Sequence, residues 1–411
     1  MNFYAPVKEN SFLGEMSRSM GKKDGKINIL GFVKSKSGCD WYRCEQPLLK
    51  IAENRAAHVR FFNKGDDIGW FATDEAAQKI QGMFEWADVI FVPRLAEGRL
   101  IIAMEHFKKQ GKKVVTDWDD NIFQINPLSP SYRQFGTDEI RWKMDDGSII
   151  DAWIDGRNID IAKNRITRKA MVEGINYTDA FIVTGDGLKK AYEQNHKNIY
   201  ICPNSVDLKL WKKMPLKPHS GIRMGWFGGN SHYEDWRVIC APLLKPFMDA
   251  NPEVTLVIMG EKWDSLLVGI DPKRVEFHPW VHIEAYPYKA ALLNLDFAVI
   301  PLVDNEFNRG KSTIKWLEMG ALQVPCVTSF VEPYSALLDL VKNNGIFVEG
   351  NSASGWHEGM TMLARNAELR QCMGAAARQT VERFYNADET WKLWLNVFKE
   401  VAAKPSLLEV I

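Results

Sequence analysis

Residues 296–329 have the sequence DFAVIPLVDNEFNRGKSTIKWLEMGALQVPCVTS, and this stretch decides the fold more than any other part of the chain. The apolar run FAVIPL predicts a buried strand, and the polar run VDNEFNRG after it predicts a loop. A helix is expected to begin near Ser312, and VPCVTS predicts a second strand. The stretch therefore predicts one strand–loop–helix–strand unit of a parallel α/β sheet.

Three charged residues are expected on one face of this helix, at its N-terminal end. Lys311, Lys315 and Glu318 have the spacing i, i+4 and i+7, which places them on the same side of an α-helix. Helix N-termini attract phosphate, two lysines neutralise a diphosphate, and a carboxylate one turn further holds sugar hydroxyls. The pattern fits a nucleoside diphosphate. The competing interpretation is a solvated helix face with ordinary charge pairs.

The same segment is similar to a motif of a known family. The polar loop followed by KS, K and E-x-G-A-x-x-V-P-C-V-T-S resembles the nucleotide-sugar motif of group 1 (family 4-like) glycosyltransferases of GT-B fold. This resemblance implies that Glu318 holds the ribose of a nucleotide-sugar donor. It also implies that Lys311, Ser312 and Lys315 lie at the donor diphosphate.

The chain departs from the family pattern at one position. The first glutamate of the family's paired-glutamate motif falls at Gly310, which has no carboxylate. Contacts to the donor sugar are therefore expected from Asn305, Asn308 and the backbone around Arg309 instead. The resemblance also implies that the segment 278–289 lies at the nucleotide base.

Composition places the chain among ordinary globular proteins. Its 411 residues are enough for two large domains, and 46% are hydrophobic and 25% charged. The formal net charge is zero, so no global field attracts nucleic acid or a membrane. Six cysteines form no C-x-x-C pair, which argues against zinc and fits a reducing compartment. Without a signal-peptide pattern or an apolar run of about 18 residues, we expect a cytoplasmic protein with no membrane span.

The chain contains two similar series of strands and helices. We expect a loosely ordered lead-in (1–26), a first Rossmann-like domain (27–211), a second one (212–385) and a C-terminal helix (386–411). By the resemblance, the first domain binds the acceptor, the second binds the nucleotide sugar, and the last helix crosses back to the first domain. The predicted fold class is α/β, of GT-B type, with two Rossmann-like doubly wound domains facing a central cleft.

The individual elements follow from apolar runs and their turn signals. Residues 124–160 break the alternation and predict an inserted loop or a helical lid. The run LIIAMEHFKKQG predicts a helix. The predicted strands are INILGFVK, HVRFFN, DVIFVPR, KKVVTDW and AFIVTG in the first domain, and IRMGWFGG, EVTLVIMG, VEFHPWV, FAVIPLV and CVTSF in the second.

A glycine-rich turn follows the first strand of the second domain. In WFGGNSHYEDW, Gly228 and Gly229 let the backbone approach a phosphate, and Asn230 begins a segment expected to start a helix. His232 is a candidate hydrogen-bond donor to that phosphate. The competing interpretation is an ordinary turn, with His232 in a capping or surface role.

Three carboxylates follow a strand of the first domain in VTDWDDN. Asp117, Asp119 and Asp120 are expected in the crevice at the carboxyl end of a parallel sheet. Asp119 or Asp120 is the candidate base for an acceptor hydroxyl, and the alternatives are a divalent cation site or a cap for the segment that begins at Asn121. No metal is expected, because GT-B enzymes generally need none for the donor.

The loop after the first strand, KSKSGCDWYR, corresponds in GT-B enzymes to a loop that faces the donor phosphate and the acceptor. Gly38, Tyr42 and Arg43 are its candidate contacts. The competing interpretation for Arg43 is an ordinary ion pair with Asp40 or Glu45.

Several other enzyme classes lose support because their motifs are missing from the sequence. There is no Ser-His-Asp order, P-loop, H-E-x-x-H or G-x-G-x-x-G. The resemblance implies a glycosyltransferase that moves a sugar from a nucleotide-diphospho-sugar to an acceptor hydroxyl, with retention of the anomeric configuration. The nucleotide sugar is a co-substrate, and no cofactor is expected. The acceptor is a glycan, a small molecule or DNA. Alternatives are a phage-type glycosyltransferase of hydroxymethylated DNA bases, a non-hydrolysing nucleotide-sugar epimerase and a non-catalytic binder.

Overall fold

The structure is a computed structural model that describes most of the chain. Nothing is described of the predicted lead-in up to residue 23, of residues 100–106 in the predicted helix LIIAMEHFKKQG, or of the chain after residue 404. The described residues are 24–33, 37–63, 82–94, 107–125, 127, 129, 131–143, 147–151 and 159–404.

The N-terminal unit is built on a parallel sheet. Its strands are β1 (Asn28–Val33), β2 (His58–Asn63), β3 (Val89–Pro93), β4 (Lys113–Trp118), β5 (Arg141–Lys143), β6 (Ile149–Asp151), β7 (Ala180–Val183) and β8 (Ile199–Ile201). Six of them form the sheet in the order β2-β1-β3-β4-β7-β8, while β5 and β6 pair as a separate antiparallel hairpin. Strands β1, β3 and β4 are buried at every residue. This is why β1 and β3 are almost entirely apolar in sequence, whereas β4 also buries Lys113, Thr116 and Asp117.

The C-terminal unit repeats this plan with a second parallel sheet. Its strands are β9 (Ile222–Gly228), β10 (Val254–Gly260), β11 (Val275–His278), β12 (Phe297–Ile300), β13 (Cys326–Ser329) and β14 (Ile346–Val348). Their order is β11-β10-β9-β12-β13-β14. All the pairings in this sheet are parallel. Two separate parallel sheets confirm the predicted α/β class of two Rossmann-like units.

Helices connect and cover the strands of both sheets. Among the described residues, no helix is both long and apolar enough to span a bilayer. The longer helices are α1 (Gln46–Glu53), α2 (Ile161–Asn176), α3 (Asp186–Tyr192), α4 (Ala241–Ala250), α5 (Tyr286–Leu292), α6 (Ile314–Ala321), α7 (Ala353–Arg365), α8 (Ala367–Phe384) and α9 (Ala387–Ala403).

The last helix, α9, packs against the N-terminal unit. The Phe91 ring of β3 meets the rings of Trp394 and Phe398 edge-on, with centroids 5.8 and 5.4 Å apart. At the start of α9, the Asp388 carboxylate lies 2.8 Å from the buried Lys50 ammonium of α1. Helix α9 therefore completes the core of the first sheet, although it follows the whole second sheet in sequence.

Local elements differ from the expectations at several places. Helix α6 begins at Ile314 rather than near Ser312, and the expected loop before it contains a one-turn helix, Glu306–Arg309, capped by the Asn305 side chain. Strands β8 and β14 were not expected, since three residues give little periodic signal. In the region expected to be a loop or lid, the described residues form a short helix, Tyr132–Phe135, and the β5–β6 hairpin.

Candidate functional site

A cavity of about 570 Å³ lies between the two units, at the carboxyl ends of both parallel sheets. In open α/β folds this edge is the ordinary place for a ligand. The wall residues from the N-terminal unit include Ser37, Gly38, Cys39, Tyr42, Arg94, Asp119 and Asp120. Those from the C-terminal unit include Ser231, His232, Trp280, Tyr286, Lys311, Ser312, Lys315 and Glu318.

Lys311 and Lys315 both line this cavity, but they are held differently. Lys311 lies in the turn before α6, where its backbone N–H donates to the Asn308 carbonyl. The expectation that both lysines lie on one helix face is therefore wrong for Lys311. Its ammonium contacts the Asp120 carboxylate at 2.7 Å. Asp120 belongs to the opposite wall, so this ion pair crosses the cavity.

Lys315 lies in the first turn of α6 and is half-buried. No described residue forms a hydrogen bond or an ion pair with its ammonium. Burial lowers the pKa of Lys315 to about 7; Asp235 opposes this shift and the nearby Lys311 adds to it. The N-cap residue of α6, Thr313, makes no side-chain cap, and the Ser312 hydroxyl accepts the Ile314 N–H only at 3.5 Å. A half-buried cation and a weakly capped helix N-terminus together form a receptive position for an anion.

Glu318 also lines the cavity, yet it is only 4% exposed. Its two carboxylate oxygens accept hydrogen bonds from the hydroxyls of Tyr42, at 2.8 Å, and Tyr286, at 2.7 Å. Burial raises the pKa of Glu318 to about 7, against the effect of these two hydrogen bonds. We expected a carboxylate open to a sugar, and the structure shows one that is already bonded to two tyrosines. Tyr42, expected at a phosphate, is bonded to this carboxylate.

The glycine-rich turn after β9 lies beside the cavity. A Cβ atom at Gly228 would lie 2.4 Å from the ring of Trp226, so this position needs glycine for close packing. Gly229, in contrast, faces open space. Ser231 and His232 line the cavity, whereas Gly228, Gly229 and Asn230 are not part of its described wall. The phosphate contacts predicted for these three residues therefore stay predictions.

His232 has a buried carboxylate as its partner. Its Nδ1 lies 2.8 Å from Oδ2 of Asp235. Burial and the nearby Lys315 together lower the pKa of His232 to about 4, against the effect of Asp235. The imidazole is therefore neutral at pH 7. Because an ionised carboxylate only accepts, Nδ1 carries the proton and Nε2 presents a lone pair. This corrects the expectation that His232 donates to a phosphate.

Asn308 also serves Asp235 rather than the cavity. Its side-chain amide donates to Oδ1 of Asp235 at 2.9 Å and to the Val303 carbonyl at 2.8 Å. The side chain is 3% exposed and is not part of the cavity wall. The expected contact of Asn308 with a donor sugar is therefore wrong in this structure. Ser312 does line the cavity, and its hydroxyl accepts from the Asn204 amide of the N-terminal unit at 2.8 Å.

Asp119 and Asp120 both face Arg94, a residue that the sequence did not single out. Arg94 follows β3 with a positive φ of 45°, and its guanidinium lies 2.6 Å from Asp119 and 2.9 Å from Asp120. Neither aspartate caps the segment at Asn121, as one of them was expected to do. Both lie at the cavity wall, so the expected acidic cluster is in the cleft.

Arg43 is an internal residue of the N-terminal unit. It is 2% exposed and forms a two-pronged ion pair with Asp117. Its remaining donors bind the Cys202 carbonyl at 2.6 Å and the Asn204 side chain at 2.9 Å. These partners are neither the expected phosphate nor the carboxylates of Asp40 and Glu45, which were the alternative. Burial raises the pKa of Asp117 to about 6, against the effect of the arginine.

Gly38 begins the short helix that follows β1, and it lies where the two units approach each other. A Cβ at Gly38 would come within 3.9 Å of Ile283 from the C-terminal unit. The Ser37 hydroxyl caps this helix by accepting the N–H of Asp40 at 3.2 Å. Over the described residues, no group of three or more His, Cys, Asp or Glu side chains is arranged to hold a metal ion.

The architecture is similar to that of several solved glycosyltransferases. The chain has the GT-B fold. A glycosyltransferase from Rickettsia africae aligns with a TM-score of 0.60 at 11% identity, covering 92% of this chain and 99% of that one. HepE of Anabaena, solved in complex with UDP and glucose, aligns with a TM-score of 0.58 at 12% identity, covering 92% and 100%.

Sucrose-phosphate synthase from Thermosynechococcus elongatus aligns with a TM-score of 0.57 at 14% identity, over 92% of this chain and 99% of that one. No profile of a protein family matches the sequence, and no curated protein is significantly similar to it. At these identities the likeness establishes the fold, and the predicted GT-B class is confirmed.

Proposed function

We propose that the protein is a glycosyltransferase that moves a sugar from a nucleotide-diphospho-sugar to an acceptor hydroxyl. The observation that carries this proposal is the half-buried Lys315 ammonium, which faces the cavity without an ion-pair or hydrogen-bond partner among the described residues. A buried charge without a partner is costly, and a diphosphate at this position would stabilise it. The helix N-terminus beside it adds N–H donors to the same anion.

The C-terminal unit would hold the donor. Lys315, Lys311 and the first turn of α6 would neutralise the charge that develops on the leaving diphosphate as the glycosidic bond breaks. Each oxygen of Glu318 has a second lone pair beside the one used by a tyrosine, so ribose hydroxyls can still donate to it. HepE was solved with UDP, which makes UDP the first nucleotide to test.

The N-terminal unit would hold the acceptor, with Asp119 and Asp120 nearest its hydroxyl. In the proposed reaction, the bond between the anomeric carbon and the diphosphate oxygen breaks. The acceptor oxygen forms the new bond to that carbon, and its proton passes to one of the two carboxylates. The resemblance to family 4-like enzymes supports retention of the anomeric configuration. It also supports a reaction without a bound metal.

The proposal is tested by calorimetric titration with UDP, GDP, ADP and TDP at pH 6.5, where Lys315 is mostly protonated. We expect one of these nucleotides to bind, and Lys315→Met to weaken it by about 1.5–3 kcal/mol, the contribution of a hydrogen bond to a charged group. Lys245→Met is the matched control, because Lys245 is an exposed lysine of the same unit that pairs with Asp249. Absence of binding at millimolar concentrations for all four nucleotides would contradict the proposal.

A further inference from the structure

The two lysines of the candidate diphosphate site differ in one respect that affects how a donor can bind. Lys315 has no partner among the described residues, whereas the Lys311 ammonium is 2.7 Å from Oδ1 of Asp120. The other oxygen of Asp120 accepts from Arg94 at 2.9 Å. The carboxylate therefore lies between two cations, and one of them belongs to the opposite unit.

The charges around the cavity balance without a ligand. Arg94, Lys311 and Lys315 provide cations, and Asp119, Asp120 and Glu318 provide carboxylates. Arg43 also reaches the wall, and its charge is offset by Asp117 behind it. A diphosphate brings at least two more negative charges to the same wall. If Asp120 kept its contact with Lys311, the incoming anion would lie beside a carboxylate and would share a lysine with it. Like charges at such short range repel strongly where water is scarce.

We propose that Asp120 occupies the place of the donor diphosphate on Lys311, and that donor binding transfers Lys311 from the carboxylate to the diphosphate. This inference rests on the proposed function. In the empty site Asp120 acts as an internal competitor of the donor. In the loaded site it keeps only Arg94 and faces the acceptor with one oxygen free.

The movement of Lys311 to the diphosphate changes the basicity of Asp120. Although burial alone would raise it, Lys311 and Arg94 hold the pKa of Asp120 at about 2, so the paired carboxylate is a weak base. When Lys311 moves to the diphosphate, the basicity of the Asp120 carboxylate rises. One of its lone pairs then becomes accessible to the acceptor hydroxyl. The donor therefore binds first, and a competent acceptor site forms only in the complex with the donor.

The affinities of Asp120 and Asp119 variants for the nucleotide test this exchange. Asp120→Asn removes the competitor, and UDP, or whichever of the four nucleotides binds the wild type, should bind at least tenfold tighter. Asp120→Glu keeps a carboxylate and should bind within threefold of the wild type. Asp119→Asn removes a charge from Arg94 but none from Lys311, so its affinity should also stay within threefold. Unchanged or weaker binding by Asp120→Asn would overturn the inference.

A second measurement uses variants that keep Asp120 and is decisive if Asp120→Asn does not fold. Lys311 must give up an ion pair to bind the diphosphate, and Lys315 gives up none. Lys315→Ala should therefore lose at least tenfold more nucleotide affinity than Lys311→Ala, measured at pH 6.5. Equal losses, or a larger loss for Lys311→Ala, would overturn the exchange. If the wild type binds none of the nucleotides, the proposed function fails. Binding without these differences contradicts the exchange alone.

Discussion

The hydroxyl of Tyr42 donates a 2.8 Å hydrogen bond to Oε1 of Glu318, and this contact joins the two units across the cavity. Tyr286 donates to the other oxygen from within the C-terminal unit. A carboxylate expected to serve only the ligand therefore also holds the protein together. In the proposed function, ribose hydroxyls share these oxygens with the tyrosines, so donor binding and the contact between the units depend on the same group.

Replacement of Glu318 by alanine should weaken both binding and folding. At pH 6.5 we expect nucleotide affinity to fall by about 0.5–1.5 kcal/mol, the contribution of an ordinary hydrogen bond, because the ribose loses a bonding partner. We also expect the free energy of unfolding to fall by about 1–3 kcal/mol, because the buried hydroxyls of Tyr42 and Tyr286 lose their acceptor. Calorimetry and urea denaturation measure the two effects. Tyr42→Phe is the control, since it leaves the carboxylate in place. If Glu318→Ala binds the nucleotide normally, Glu318 has no role at the ribose.

The buried Glu318 also predicts a pH dependence of stability. Burial raises its pKa from 4.5 to about 7, so between these values the folded protein holds a proton that the unfolded chain releases. The contribution of Glu318 to stability is therefore fully present below pH 4.5. It is lost as the pH rises to 7, and the loss is about 3 kcal/mol. Glu318→Gln should flatten the slope of the unfolding free energy between pH 5 and 7. A smaller slope should remain, because Asp117 is shifted in the same direction. An unchanged slope would contradict the protonation of Glu318.

The lowered pKa of Lys315 predicts how nucleotide binding depends on pH. Burial places this pKa at about 7, so above pH 7 the free site loses the ammonium that a diphosphate requires. Binding then needs proton uptake, and affinity should fall about tenfold per pH unit from pH 7 upward. Titrations between pH 7 and 9 avoid the second ionisation of the phosphate, near pH 6. Lys315→Arg should remove this dependence, because arginine stays charged. A flat wild-type profile would show that Lys315 is not a ligand of the phosphate.

The sequence predicted the sheets well because a buried parallel strand leaves a local signal. The run FAVIPL and its counterparts are apolar at nearly every position, as both faces of their sheets require. Lys315 was also predicted, since its place in the first turn of a helix depends only on neighbouring residues. The other polar contacts of the cavity depend on how the two units meet. Asp120 and Lys311 are 191 positions apart, and Tyr42 and Glu318 are 276.

Arg94 shows the limit of local inference most clearly. It follows Pro93 at the end of β3 in a left-handed conformation that a preceding proline does not predict, and its partners are aspartates that follow the next strand. The partners of Arg43 and Asn308 likewise lie inside their own units. The sequence predicted ligand contacts for polar side chains near the cleft. Some of these side chains are buried and bond to other residues of the protein instead.

Transfer should not require a divalent metal. In the proposed function, lysines and a helix N-terminus take the place of a cation at the diphosphate. We therefore expect full turnover after dialysis against EDTA, measured as nucleotide release from the donor. Loss of turnover that Mn²⁺ or Mg²⁺ restores would instead assign Asp117, Asp119 and Asp120 to a metal.

Substitution of the acidic pair should separate chemistry from donor binding. Asp120 is expected to accept the acceptor proton, a role that contributes about 10²–10⁴-fold in rate. Asp120→Asn should therefore lose transfer by that factor without losing nucleotide affinity. Asp119→Asn should lose less, because Asp119 bonds to Arg94 rather than to Lys311 and acts by orienting the guanidinium. Transfer is measured with the donor and acceptor found by screening, and affinity by calorimetry.

The two readouts distinguish a base from a structural carboxylate. A base gives a pH–rate profile whose acidic limb disappears in Asp120→Asn, while a carboxylate that only holds the cleft together changes the melting temperature and leaves the profile intact. If both asparagine variants transfer sugar at nearly the wild-type rate, the pair is structural. The proton then passes to another group, and Asp40, behind the Ser37 cap at the cavity wall, is the next residue to substitute.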